Sequence, residues 1–279
     1  MLASAERRIA AGQFTDLTGR KGVWSIISYA PRHAIQHVTL TIPGWPVLPR
    51  PIRIAFLADL HLGSHTNDIA RLQAMLDDVV VFNPDIGCLG GDYTNNMLFG
   101  RGRIPPEVTF SIISQLKPSI GWFSVLGDHD ELYGINRASS AFSNAGIRVL
   151  IDDRETVSLL GYEIDIIGLK PTSANPNKSM AALLLGRPSI VLAHDPAAFS
   201  CLPRGPYLML SGHTHGGQIQ LPWIGPLINM SEASLRWTHG IVIENDQHLY
   251  VTSGIGTSGI PVRIGIRPEV ALISVNGSE

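Results

Sequence analysis

Only two cysteines, Cys88 and Cys201, occur in 279 residues, so no disulfide framework and no four-cysteine zinc knot can organise the chain. Both lie in apolar stretches, which reads as two reduced, buried thiols in a reducing compartment. Charge is scarce too: 16% of residues are charged and the formal net is -2, which excludes an acidic disordered segment and a uniformly basic nucleic-acid binder. No run of 18 apolar residues is present, so no membrane-spanning helix is expected. What is plentiful is apolar content, 44% with a mean hydropathy of +0.16, ample for one large core. With 28 glycines and 19 prolines, the chain promises many tight loops, where an α/β enzyme keeps its chemistry.

The few charges are unevenly placed. Residues 1–53 carry seven Lys/Arg against Glu6 and Asp16, a net of +5, which leaves -7 for the remainder. In this arm Arg7, Arg8, Arg20 and Lys21 flank Trp24, Ile26, Ile27 and Tyr29, a pattern that fits either a peripheral foothold on anionic lipid or an ordinary solvated arm. The apolar stretch 22–30 is interrupted by two serines and lies too far in for a cleaved signal. A cytoplasmic protein, with a peripheral contact at the inner membrane as the alternative, is expected.

Beyond Pro51 apolar runs of strand length recur at 53–58, 85–90, 121–126, 189–193 and 207–211, with helix-like stretches at 68–82, 107–117 and 135–145. Alternating β and α with buried strands predicts a sheet covered by helices. The segments 147–151, 155–160, 162–168, 241–245, 248–253 and 269–275 read as shorter strands of a second, partly antiparallel sheet.

Each buried run stops on acid or histidine: Asp59-Leu60-His61, Gly91-Asp92, Gly127-Asp128-His129-Asp130, His194-Asp195 and Gly212-His213-Thr214-His215. The carboxyl ends of strands in an open α/β sheet share one edge, where ligands bind. Carboxylates and imidazoles without cysteine suit manganese, iron, zinc or similar divalent ions, and six or more such ligands point to two ions rather than one. Singly each signal is weak, since a capping aspartate or a surface histidine is the common alternative. The ordered set is specific.

That set resembles the calcineurin-like metallophosphoesterase superfamily, whose blocks run D-x-H, G-D, G-N-H-[DE], H and G-H-x-H in this order. FLADLHLG, GGDYTN, LAHDP, SGHTHGGQIQLP and GIGTSGIPVRIG look most like its bacterial, membrane-associated phosphodiesterase branch, and the similarity spans roughly residues 37–275. The resemblance implies a four-layer α/β/β/α sandwich of two mixed sheets flanked by helices, the metallo-dependent phosphatase fold, over residues 37–279, with residues 1–36 as the basic arm. It also implies that Asp59, His61 and His215 hold one divalent ion, that Asp92 bridges, and that Asp128, His194 and His213 hold the second, with manganese first and iron, zinc or magnesium as alternatives. The implied chemistry is hydrolysis of a phosphodiester or pyrophosphate bond by a bridging hydroxide, with His129 protonating the leaving oxygen. Relatives include enzymes that split UDP-diacylglucosamine, so the substrate reads as a small phosphoester or a lipid-linked phosphate, with no nucleic acid.

Two departures matter. Asp128 stands where the family usually has asparagine, which adds an anion and removes a possible N–H donor, and a weakly active metal-binding scaffold is the alternative this opens. Asn95 and Asn96 stand where protein phosphatases of the superfamily have a carboxylate and an arginine, which disfavours a phosphoprotein substrate. Asp130 is expected to orient His129 in place of the missing carboxylate. Asp195 reads equally as a helix N-cap or as a partner for an imidazole N–H. Arg263 and Arg267 are candidates for a substrate phosphate against an ordinary surface role. For Trp223, Ile224 and Leu227 an apolar lip beside the metals competes with core packing, and core packing is the expectation. His33, His37, His65, His239 and His248 match no block and read as structural or exposed.

Overall fold

The apolar runs become the central strands of two six-stranded mixed sheets. The structure, a computed structural model, describes residues 30–65, 67–95, 104–171, 183–227 and 230–278. The basic arm up to residue 29 and Asn96 therefore lie outside the described residues. In chain order come β1 (Ala34–Ile42), β2 (Ile52–Leu57), α1 (Asp68–Phe82), β3 (Ile86–Leu89), α2 (Pro106–Ile113), β4 (Gly121–Ser124), α3 (Asp128–Tyr133), α4 (Ile135–Asn144) and β5 (Arg148–Val149). Next are β6 (Asp153–Leu159), β7 (Tyr162–Gly168), β8 (Ser189–Leu192), β9 (Tyr207–Ser211), the small hairpin β10 (Gln220–Leu221) and β11 (Gly225–Pro226), β12 (Gly240–Glu244), β13 (Gln247–Val251) and β14 (Glu269–Gly277).

The first sheet runs β1-β14-β2-β3-β4-β5 and the second β12-β13-β9-β8-β7-β6. Strands β2, β3, β4 and β5 are mutually parallel, as are β7, β8, β9 and β13, while β14 runs antiparallel to β2, and β6 and β12 are antiparallel edges. Parallel strands must be connected over a covered face, and this is why their residues are apolar on both sides. The facing surfaces of the sheets enclose Ile54, Phe56, Cys88 and Phe123 from one and Ile166, Ile190, Leu192 and Leu210 from the other. On the outer face of the first sheet α1 buries Leu72, Met75, Leu76 and Val79, one stripe at helical spacing, together with Phe110 and Phe142 from the later helices. The outer face of the second sheet is covered, among the described residues, by the 3-10 segments Pro196–Cys201 and Leu235–Trp237, which bring Phe199 and Trp237 onto Met209 and Leu249. The α/β sandwich of two mixed sheets that the resemblance implies is thus the architecture observed, but the strands divide differently from the expectation: the runs at 189–193 and 207–211 lie in the second sheet, and those at 147–151 and 269–275 in the first.

Strand β1 was not among the expected strands. It begins at Ala34, three residues before position 37, and pairs along its length with β14. Its inward residues Val38, Leu40 and Ile42 alternate with outward ones and join the core between the sheets. Of the two cysteines only Cys88 is a buried thiol, pushed up by burial; Cys201 is exposed at the end of its 3-10 segment. No helix among the described residues is long and apolar enough to cross a membrane.

Candidate metal centre

Each of the five acid and histidine blocks leaves the sheets at the same edge. Asp59 and His61 follow β2, Asp92 follows β3, Asp128 opens α3 after β4, His194 follows β8, and His213 and His215 follow β9. Five of these seven residues hold left-handed backbone: Asp59 at φ 51°, His61 at 37°, Asp92 at 58°, His213 at 70° and His215 at 51°. Non-glycine residues rarely adopt this region, and where several do so together the surrounding packing is holding strain for a reason.

The side chains converge in two groups that share Asp92. In the first, His61 Nε2 lies 3.2 Å from His215 Nε2 and 3.3 Å from Asp92 Oδ2, and His215 Nε2 is 3.9 Å from Asp59 Oδ1. In the second, His194 Nε2 lies 3.2 Å from His213 Nδ1, 3.3 Å from Asp128 Oδ1 and 3.4 Å from Asp92 Oδ2, with His213 Nδ1 3.6 Å from Asp128 Oδ1. Asp92 Oδ2 therefore stands between the groups, nearly equidistant from both.

The outer nitrogens show what these inner atoms are. His61 Nδ1 donates to the Thr94 carbonyl at 3.2 Å, His194 Nδ1 to the Gly90 carbonyl at 2.8 Å and His213 Nε2 to the Met230 carbonyl at 2.9 Å. In the neutral rings His61 Nε2, His194 Nε2 and His213 Nδ1 are then bare lone pairs. Lone pairs and carboxylate oxygens facing one another at 3.2–3.6 Å repel unless protons or a cation lie among them. Ligands around one ion with bonds of about 2.1 Å are about 3 Å apart, so the donor set fits divalent ions. Without a cation, protons answer the same demand. Against the lowering effect of burial, Asp92 and Asp128 hold His194 well above its ordinary pKa, while the His194 and His129 rings hold Asp92 well below its own against the raising effect of burial.

Close backbone approach fixes the carboxylates. A Cβ on Gly127 would stand 2.0 Å from Asp92 Oδ1, and one on Gly254, at φ 69°, would stand 2.6 Å from Asp59 Cβ. Asp92 Oδ1 accepts the His129 N–H at 3.0 Å, and both oxygens of Asp59 accept the His213 N–H at 3.0 Å. The His129 ring sits at the mouth, edge-on to His61 with centroids 4.8 Å apart, its Nε2 4.0 Å from Asp128 Oδ2.

Asp130 does not orient His129. Its carboxylate accepts the backbone N–H groups of Asp92 at 2.8 Å, Tyr93 at 3.0 Å and Gly127 at 2.9 Å, because the turn into α3 aims it back under the β3 loop. It stitches the loops after β3 and β4 together, and burial beside Asp92 raises it to about 7. Asp195 is the N-cap: its Oδ1 accepts the Ala197 N–H at 2.8 Å, while its Oδ2, 3.8 Å from His213 Nε2, lies beyond hydrogen-bond reach of a ring nitrogen already bonded to the Met230 carbonyl. Arg263 and Arg267 are committed elsewhere, the first to carbonyls of His215, Ser253 and Gly256, the second to carbonyls of Arg32 and His33. Asn95 is buried. Core packing for Trp223, Ile224 and Leu227 is overturned: Trp223 is fully exposed at the tip of the β10–β11 hairpin, with Ile224 and Leu227 exposed beside it. Among the described residues the other histidines stand outside the metal-competent groups; His33 pairs with Asp78 at 2.8 Å and His239 with Glu269 at 2.8 Å.

The sequence reading missed Tyr93 and Glu269. The buried Tyr93 hydroxyl accepts the Gly91 N–H at 2.9 Å and donates to the Val125 carbonyl at 2.7 Å. Glu269 accepts from Tyr250 Oη at 2.8 Å, Thr252 Oγ1 at 3.0 Å and Ser253 N at 3.2 Å, anchoring the loop that reaches Asp59. A glutamate opening an apolar strand was the only available signal.

The sequence profile of the calcineurin-like phosphoesterase family matches residues 52–217, from β2 through the loop after β9. The chain belongs to this family. Members are metallophosphoesterases, so the chain is a phosphoester hydrolase that uses divalent metal, and its described residues offer four overlapping metal-competent groups, all drawn from Asp59, His61, Asp92, Asp128, His129, His194, His213 and His215. Among relatives, phosphodiesterase YaeI of Escherichia coli is 29% identical over 252 residues, covering 84% of this chain and 89% of its own. The uncharacterized metallophosphoesterase YkuE of Bacillus subtilis is 27% identical over 279 residues, covering 97% and 94%. Among solved structures, NAD nucleotidase of Haemophilus influenzae aligns with a TM-score of 0.47 at 14% identity, over 72% of this chain and 44% of that one.

Proposed function

We propose that this calcineurin-like phosphoesterase is a dinuclear phosphodiesterase. In this reading Asp59, His61 and His215 hold one divalent ion, Asp128, His194 and His213 hold the other, and Asp92 bridges. Manganese is the first candidate, and iron, zinc and magnesium also suit nitrogen and oxygen donors. The observation that carries it is the placement of Asp92 Oδ2, 3.3 Å from His61 Nε2 and 3.4 Å from His194 Nε2. When bound, the ions supply activation of water near neutral pH and neutralisation of phosphoryl charge. The chain's own groups do the rest. The carbonyls of Thr94 and Gly90 hold His61 and His194 in the ligating tautomer, Asp130 holds the loops in register, and His129 at the mouth donates a proton to the leaving oxygen.

Asp128 sets the substrate charge. Half of its side chain is exposed, yet the rings of His194 and His213 keep it ionised against the effect of burial. One further anion a few ångströms from the incoming phosphate costs on the order of a few kcal/mol against a dianion and less against a monoanion. Diesters are therefore preferred. Asp128→Asn narrows the preference, chiefly through better monoester turnover, as read from kcat/KM for matched p-nitrophenyl mono- and diesters at saturating manganese. A ratio that stays put or rises in the variant removes charge as the contribution of Asp128.

A second reading, a lipid-linked phosphate or pyrophosphate substrate, draws on the β10–β11 hairpin. Its Trp223 tip and Ile224 are exposed, and the Met230 carbonyl just beyond it is bonded to the His213 ring. Covering a large apolar side chain is worth about 1.5–3 kcal/mol, so Trp223→Ala lowers kcat/KM for a diacyl pyrophosphate in micelles about tenfold or more. Turnover of bis(p-nitrophenyl) phosphate stays the same. Equal effects on both substrates count against an acyl contact.

A further inference from the structure

Arg263 lies inside the late glycine-rich segment yet directs its guanidinium at the metal centre's backbone. Nε and Nη2 donate to the Gly256 carbonyl at 3.0 and 2.6 Å, Nη2 also to the Ser253 carbonyl at 2.6 Å, and Nη1 to the His215 carbonyl at 3.2 Å. Nη2 also comes within 3.5 Å of His215 Nδ1. Taking a cation out of water to meet three carbonyls and the edge of one imidazole is costly, so the groups it gathers call for an explanation.

All of them belong to the walls of one ligand cluster. His215 is itself a candidate ligand in left-handed backbone. Between Ser253 and Gly256 the chain packs flush against the other two: the Gly256 N–H donates to the Asp59 carbonyl at 2.7 Å, and a Cβ at Gly256 would stand 2.7 Å from His61 Cβ. Asp59 and His61 are also left-handed. None of the atoms Arg263 binds comes from Asp128, His194 or His213.

We infer that Arg263 is the positioning residue of the Asp59–His61–His215 ion site, clamping His215 to the 253–256 loop so that three strained ligand residues keep their places. The inference rests on the two-ion reading above. A planar five-donor fork can serve three carbonyls at once, whereas a lysine ammonium is a point donor with three N–H groups and cannot reproduce the span.

The test uses the full chain and Arg263→Lys, both stripped with chelator and titrated with Mn2+ by calorimetry, with the melting temperature of each metal-free protein measured alongside. Asp165→Asn serves as the control for general destabilisation. Asp165 is buried in β7, opposite Ser189 at the far end of β8 from His194, and is bonded to Thr156. The wild type takes two equivalents. Arg263→Lys weakens one of them about 10- to 100-fold, the usual cost of losing a group that orients ligands, and leaves the other unchanged; Asp165→Asn keeps both whatever its melting temperature. Two unchanged equivalents in Arg263→Lys overturn the inference while leaving the two-ion reading standing. So does a parallel loss of both that follows the melting temperature. A wild type that takes fewer than two equivalents overturns the two-ion reading and the inference with it.

Discussion

Asp92→Ala leaves the protein folded and takes both divalent ions with it, and turnover of a diester falls on the order of a thousandfold or more. The reason is the position of one oxygen. Asp92 Oδ2 lies within 3.4 Å of an imidazole from each cluster, while Oδ1 is occupied by the His129 N–H at 3.0 Å. Truncation thus removes a shared anion and releases the loop that carries His129. His61→Ala is the comparison, because it removes a ligand from the first cluster alone and costs chiefly one ion. Metal analysis of the two dialysed variants checks the pair. If Asp92→Ala still holds two equivalents, Asp92 is no bridge and the centre must be redrawn.

His129→Gln keeps both ions but lowers kcat by about 10² to 10⁴, the range for losing a positioned general acid. The loss should depend on the leaving group. p-Nitrophenolate departs without help, whereas an alkoxide needs the proton, so the deficit is small for p-nitrophenyl esters and large for alkyl ones. His129 is also close enough to His61 and Asp92 to share a cation with them, and this sets the contrary outcome. Loss of an ion in His129→Gln, with an equal deficit for both leaving groups, makes His129 a ligand instead.

The convergence of five acid and histidine endings was legible because a buried strand that ends on acid or imidazole has no structural need to do so, whereas the choice of seven ligands among those residues came from the resemblance to the calcineurin-like metallophosphoesterases. The central strands were legible for the same reason, as short apolar runs between polar stops. β1 was not, since its alternating Val38, Leu40 and Ile42 follow a basic segment whose charge dominated the reading. Asp130 was misassigned because adjacency in sequence says nothing of direction: the helical turn after Gly127 points consecutive side chains about 100° apart, His129 to the mouth and Asp130 beneath the Asp92 loop. Trp223 was placed in the core on hydrophobicity alone, though Pro222 and Gly225 mark a tight hairpin whose tip has nothing to pack against. The clamp by Arg263 was out of reach, since it joins residues 48 positions apart through carbonyls that the sequence does not distinguish.

The most direct test is to titrate chelator-stripped protein with Mn2+ while following both bound metal and hydrolysis of bis(p-nitrophenyl) phosphate. The account predicts two equivalents bound, with turnover that rises only as the second fills. One equivalent at full activity, or two equivalents with no turnover, contradicts it, the latter in favour of a metal-binding scaffold.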